Sequence, residues 1–166
     1  MQDIEREQME FDVVIVGGGP SGLSAAIRLR QLAIAAGNPD FSVCIVEKGS
    51  EFGAHILSGA VMEPNALTEG APVRVQTKGD RVYMLKNETK YRELPEKIVP
   101  SLMHNHGNYI ISLGNLVRWL ATQAEELEVM MFPGFSASEI LYNEDGSVRG
   151  VLTGDMGVNA EGQPKS

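Results

Sequence analysis

Six residues in a row carry most of the chemistry legible in this chain: Gly17, Gly18, Gly19, Pro20, Ser21 and Gly22. The apolar run Val13-Val14-Ile15-Val16 precedes them, and a second apolar run ends at the acid Glu47. The pattern is a strand, a tight glycine turn, a helix and a second strand closed by a carboxylate, which is how a dinucleotide site is laid out. Gly17 lets the chain turn off the strand, Gly19 has no side chain to hold a pyrophosphate away, and Gly22 lets the helix pack close to the strand. The N–H groups at the helix start, with the helix dipole behind them, favour phosphate. Glu47 can accept hydrogen bonds from ribose hydroxyls, and a 2′-phosphate there would meet a like charge, so NADP is disfavoured. Ala26 supplies a small residue where helix and sheet must approach. The gap from Gly17 to Glu47 exceeds the usual spacing of about 20 residues, and Gly37-Asn38-Pro39-Asp40 accounts for it as a longer helix-to-strand loop. The motif alone does not separate FAD from NAD.

The elements that must hold these residues follow from hydropathy and turn chemistry. The 166 residues suffice for one domain with a real core. Residues 1–10 read as a polar tail. Strands are predicted at 11–16 and 41–46, with a helix from 21 to about 36 between them; Leu23, Ala26, Ile27 and Leu29 form its inner face. Residues 49–60 form a loop in which backbone can approach a ligand, and 63–70 a short helical or irregular turn. Short strands are predicted at 73–77, 81–86 and 90–94, with a hairpin turn at 86–89, followed by a loop over 95–106. Residues 108–112 lead into a second helix, with Ser112 as N-cap and Leu116, Val117, Leu120, Ala124 and Leu127 as its apolar stripe. Trp119 lies off that stripe. A strand at 129–132 and a hairpin made of 137–142 and 147–153 complete the pattern. The fold class is therefore α/β: a Rossmann-like FAD/NAD(P)-binding domain with a parallel sheet and an added antiparallel β-element.

Composition narrows the function. Fourteen Lys and Arg against 22 Asp and Glu give a net charge of −8, which argues against a nucleic-acid partner. The single cysteine, Cys44, excludes an internal disulfide, and its place in the second apolar run makes it a core residue. No apolar window is long enough for a membrane-spanning helix, and the charged start resembles neither a secretory signal nor a transit peptide. The expected location is the cytoplasmic side of a bacterial cell. His104 and His106 form an H-x-H pair without neighbouring Cys, Asp or Glu, so a structured loop is favoured over a metal site. His55 is expected to hydrogen-bond structurally. No nucleophile–base pair stands out, which suits chemistry carried by a cofactor.

Four further stretches resemble one family. They are Gly53-Ala54-His55-Ile56-Leu57-Ser58-Gly59-Ala60, His104-Asn105-His106-Gly107-Asn108-Tyr109-Ile110 running into Ser112-Leu113-Gly114-Asn115-Leu116, Phe132-Pro133-Gly134-Phe135, and Gly154-Asp155-Met156-Gly157-Val158. With the glycine turn, they resemble the N-terminal part of the electron transfer flavoprotein–ubiquinone oxidoreductases, from Phe11 onward. The resemblance implies FAD as cofactor, and reduced electron transfer flavoprotein and ubiquinone as partners. It also implies a peripheral or monotopic position at the inner membrane. Gly17, Gly18, Gly19, Pro20, Ser21 and Gly22 would hold the pyrophosphate, and Glu47 with Lys48 the adenosine ribose. Gly53, Ala54, His55, Leu57, Ser58, Gly59 and Ala60 would lie along the flavin side. The family is several times longer. Its [4Fe–4S] cluster, its quinone site and the elements that complete its flavin site come later, so residues 11–166 are expected to form an incomplete FAD-binding domain with an inserted lobe at 63–106. The family also carries extra apolar and aromatic residues between Pro64 and Pro72 that help anchor it in the membrane; this chain lacks them, so that segment is not expected to attach it. Two rival expectations are a geranylgeranyl-reductase-like flavin enzyme and a nucleotide-binding module without turnover.

Overall fold

The structure, a computed structural model, describes residues 7–63 and 70–154, which divide into two compact units: 7–56 with 117–154, and 57–116. In chain order the strands are β1 (Val13–Val16), β2 (Val43–Glu47), β3 (Gly59–Met62), β4 (Val75–Gln76), β5 (Tyr83–Leu85), β6 (Tyr91–Glu93), β7 (Tyr109–Ser112), β8 (Met130–Pro133), β9 (Ala137–Tyr142) and β10 (Val148–Thr153). The helices are α1 (Pro20–Ala35) and α2 (Leu113–Glu126). The division between the units falls within α2.

The first unit holds a parallel sheet in the order β1-β2-β8, with Val16 opposite Val46 and Val46 opposite Phe132. As the middle strand, β2 is buried along Val43, Cys44, Ile45 and Val46, as a strand covered on both faces should be. Its core joins Leu23 and Ala26 of α1, Val43 and Ile45 of β2, and Phe52, with Val117, Ala121 and Ala124 of α2 and Val129. Leu116, Val117 and Ala124 of the predicted stripe are buried, and Leu120 packs against the core from its rim. The hairpin β9–β10 is antiparallel with two register irregularities.

β1 starts two residues later than hydropathy predicts. Phe11 belongs to the apolar run, but Asp12 turns its carboxylate onto Ser42, accepting from the Ser42 N–H at 2.7 Å and its Oγ–H at 2.8 Å. Those bonds hold the Asp12 carboxyl below its ordinary value of 3.8.

Arg30, on α1, is a charge that periodicity could not place inside. It is 3% exposed. Its Nε donates to the Leu127 carbonyl at 2.8 Å and its Nη1 to the carbonyls of Pro39 and Phe41, while Nη2 pairs with the Glu128 carboxylate at 3.0 Å. One guanidinium thus joins the loop before β2 to the loop before β8. Five N–H donors in a planar fork make that possible, and Lys could not do it. Glu128 adopts φ +61°, the left-handed conformation that ends α2.

The second unit holds an antiparallel sheet in the order β3-β7-β4 and the separate hairpin β5–β6. β7 corrects the expectation for 108–112. Tyr109, Ile110 and Ile111 are strand formers, and pairing with β3 on one side and β4 on the other makes this the middle strand. Ser112 still caps α2, its Oγ accepting from the Asn115 N–H at 3.4 Å. Within the predicted loop 95–106, Glu96–Ile98 and Ser101–Met103 form single 3₁₀ turns, each started by a proline at φ −58° or −56°. The predicted turn at 63–70 lies almost wholly outside the described residues, as do the 1–6 part of the tail and most of the Gly154–Val158 signature.

Replacing Arg30 by Met removes the donors from three part-buried carbonyls and should lower the unfolding free energy by about 1–3 kcal/mol. Glu128→Gln should cost less than about 1 kcal/mol, because that carboxylate is exposed. Urea denaturation checks this, and equal effects from the two variants would contradict it. Asp12 adds a pH signature. A carboxyl held below its unfolded value stabilises the fold above that value, and the contribution disappears as the pH falls through the lowered folded value. Asp12→Asn should therefore flatten the loss of stability on acidification below about pH 4, read as urea midpoints against pH.

Candidate functional site

β1 and β2 end at the same level, and the glycine turn leaves β1 there. The Gly17 N–H donates to the Val46 carbonyl at 2.9 Å, which hangs the turn on β2. Gly17 has φ +107°, a conformation that side chains rarely adopt. Gly22 is required by a close approach: a methyl there would collide with the Gly17 carbonyl and lie 3.2 Å from Ile15 Cγ2. Gly19 differs, because a methyl there would meet nothing within 4 Å. Packing among the described residues therefore places no demand for glycine at 19.

Gly19 is the N-cap of α1 and Pro20 opens the helix, whose missing N–H is no loss at that position. No side chain caps α1, so its first-turn N–H groups and the positive end of its dipole remain for an anion. Ser21 sits in that first turn.

Glu47 reaches under the turn. Its Oε2 accepts from the Gly18 N–H and its Oε1 from the Gly49 N–H, each at 2.7 Å. Each oxygen keeps further lone-pair capacity. The ribose role predicted for Glu47 thus shares the carboxylate with a structural one. Gly49 is in turn tied to the end of β8, its carbonyl accepting from the Gly134 N–H at 2.7 Å.

A cleft of about 180 Å³ opens beside this carboxylate. Val16 and Gly17 line it from the end of β1 and the turn, Val46, Glu47 and Lys48 from the end of β2 and the residue after it, and Phe135, Ser136 and Ala137 from the link between β8 and β9 and the start of β9. It therefore lies at the carboxyl ends of parallel strands, where α/β sheets bind ligands. The last three residues were not among the predicted site residues. The signal was present in Phe132-Pro133-Gly134-Phe135, a short strand followed by a glycine at φ +85°.

The other predicted residues fall in two places. Gly53, Ala54 and His55 follow the buried Phe52 in the first unit, in a turn where Gly53 has φ +84° and its carbonyl accepts from the Ile56 N–H at 3.1 Å. Leu57, Ser58, Gly59 and Ala60 belong to the second unit, the last two opening β3. Leu57 is 97% exposed.

Cys44 is buried, and burial pushes its thiol up to about 11, so it is neither thiolate nor ligand at neutral pH. The histidine pair belongs to a hydrogen-bonded loop. Asp80 accepts from the Asn105 backbone N–H at 2.6 Å and its side-chain amide at 2.8 Å. The His106 Nδ1 lies 2.9 Å from the Lys78 carbonyl, so that nitrogen carries the proton. The Thr77 N–H donates to the Asn108 carbonyl, and the Gly107 N–H to the Thr77 carbonyl. Among the described residues, no group of three or more His, Cys, Asp or Glu is placed to hold a metal.

Comparison with known proteins agrees with this geometry. The family of NAD(P)-binding Rossmann-like domains matches residues 15–86. A geranylgeranyl bacteriochlorophyll reductase-like protein from Thermoplasma acidophilum superposes with a TM-score of 0.61 at 21% identity, over 86% of this chain and 34% of its own, a likeness of fold. The probable electron transfer flavoprotein-ubiquinone oxidoreductase of Acinetobacter baylyi is 60% identical over 99% of this chain and 30% of its own length. The corresponding protein of Pseudomonas aeruginosa is 59% identical over 98% of this chain and 31% of its own length. The chain thus has a Rossmann-like fold and is similar over nearly all its length to proteins named electron transfer flavoprotein–ubiquinone oxidoreductase, of whose length it spans about 30%.

Proposed function

We propose that this chain supplies the pyrophosphate and ribose part of an FAD site, in an enzyme that passes electrons from reduced electron transfer flavoprotein to ubiquinone. The observation that carries the reading is the uncapped start of α1 beside Glu47, in a sequence 59–60% identical to proteins named for that activity. The open space at Gly19 is where a pyrophosphate would fit against the backbone, and the residues present suit it.

The roles divide by position. N–H groups at Gly19, Ser21 and Gly22 face the phosphates, while Gly17, Gly18 and Pro20 set the turn. Glu47 orients the ribose with the acceptor capacity it retains, and Lys48 lines the same cleft. Phe135, Ser136 and Ala137 form the wall against which an adenine would pack. Gly53, Ala54, His55, Leu57, Ser58, Gly59 and Ala60 carry the chain toward the flavin. FAD, when bound, supplies the electron transfer itself. The protein binds it, orients it and sets its environment. A [4Fe–4S] cluster belongs to the same reading and would be held by a part of the enzyme beyond this chain's single cysteine. In this reading residues 11–166 are part of an FAD domain and 63–106 an inserted lobe.

A membrane surface is the third partner. No helix among the described residues is long and apolar enough to cross a membrane. The second unit instead exposes Met84 (54%), Leu85 (78%), Ile98 (63%) and Leu102 (97%), with Tyr83 and Tyr91 beside one another on β5 and β6. A lone two-stranded hairpin carrying bare apolar side chains is marginal in water. Basic Lys86, Lys90 and Lys97 lie in the same stretch. Those features suit shallow insertion at a lipid surface, with tyrosines at headgroup level.

Desalting the full-length protein after adding FAD tests the cofactor reading. Retained flavin absorbance is expected, and its absence would sink the proposal. Glu47→Arg should weaken FAD binding about tenfold to a hundredfold by removing both the ribose contacts and the clamp on Gly18; unchanged flavin content would count against the site. For the membrane reading, wild-type protein should sediment with phosphatidylglycerol-containing vesicles, and Leu85→Asp with Leu102→Asp should lose that association while keeping flavin. Equal sedimentation of the variant would exclude this surface.

A further inference from the structure

Gly18 has a reason to be glycine that the dinucleotide motif does not supply. It is not strained, since its φ is not positive, and its N–H is held by Glu47 at 2.7 Å. A methyl on its Cα would collide with the ring of Phe52, at Cδ1 and Cε1, and would lie 3.3 Å from Glu47 Cβ. Phe52 has little room to retreat: it is 8% exposed and belongs to the main core with Leu23 and Ile45. The ring therefore closes one side of the turn, and the Glu47 carboxylate holds its N–H. Phe52 also begins the segment that runs through Gly53, Ala54 and His55.

We propose that Phe52 is a positioning residue of the nucleotide site, acting through Gly18 as a matched pair that sets the height of the glycine turn. The proposal rests on the FAD reading above. A backbone pushed off the ring would carry the neighbouring Gly19 with it, and Gly19 is the residue over which the open phosphate space lies. Close-packed interiors transmit such displacements rather than absorb them. Residue 18 is then free to carry a methyl only where residue 52 is smaller than phenylalanine.

The test uses the full-length flavoprotein, stripped of flavin and titrated with FAD. Gly18→Ala should raise the FAD dissociation constant about tenfold or more. Adding Phe52→Val should bring it back to within about threefold of wild type, a non-additivity expected only of residues in contact. Phe52→Leu alone should weaken FAD several-fold. Val129→Ala, at another core position of the same unit, should lower thermal stability and leave the FAD constant unchanged. Wild-type affinity in Gly18→Ala would overturn the proposal. So would a double variant that recovers its Tm but not its affinity, which is what a purely structural clash would give. Should Gly18→Ala fail to fold, Phe52→Leu against Val129→Ala decides the matter, and equal FAD constants in those two overturn it. If wild type takes up no FAD, the cofactor reading itself fails; normal uptake by wild type with no response at 18 and 52 fails this inference alone.

Discussion

The carboxylate of Glu47 is the contact on which the site depends. It sits at the end of the middle strand and accepts from Gly18 on one side and Gly49 on the other. A half-buried carboxylate satisfied by two backbone N–H groups is a strong, directional anchor, since charge-assisted bonds exceed neutral ones. It joins the end of β1, where the turn begins, to the loop leaving β2. Gly49 passes the connection to Gly134 after β8. Three strand ends are thereby held around one cleft.

The opposite end of the same layer is held by Arg30. Its buried guanidinium is itself satisfied by the part-buried carbonyls of Pro39, Phe41 and Leu127. The two anchors have complementary placement: Arg30 acts where the chain enters β2, Glu47 where it leaves. Between them β2 is buried along four successive residues. The central strand of the first unit is thus anchored by hydrogen bonds at both ends.

Sequence reading succeeded where the physics is local. The glycine turn, the apolar β2 and the Asn143-Glu144-Asp145-Gly146 hairpin turn depend on near neighbours, and the structure forms each of them. It failed where a distant partner decides. Residues 108–112 read as a lead-in to a helix, and they do enter α2, but the strand that 109–112 form by pairing with β3 and β4 was not visible locally. Arg30 has the pattern of a surface charge, and its burial is decided by residues near 40 and 127. The His104–His106 segment reads as a structured loop and is one, but its organiser, Asp80, lies far upstream and acts through Asn105.

The sequence by itself determined the local frame of strand, glycine turn, helix and a second strand ending in an acid at 47, because the glycines at 17 and 22 answer backbone and steric demands set by near neighbours. It also determined that no reactive cysteine chemistry would come from this chain, since its one thiol lies in a strand of apolar residues. Only the tertiary structure decided that the Glu47 carboxylate holds the Gly18 and Gly49 backbone, that Phe135 to Ala137 would wall the cleft, and that Phe52 would bear on Gly18. Those depend on which strand ends lie side by side, and strand adjacency is set by packing summed over the whole core rather than by any stretch of the chain.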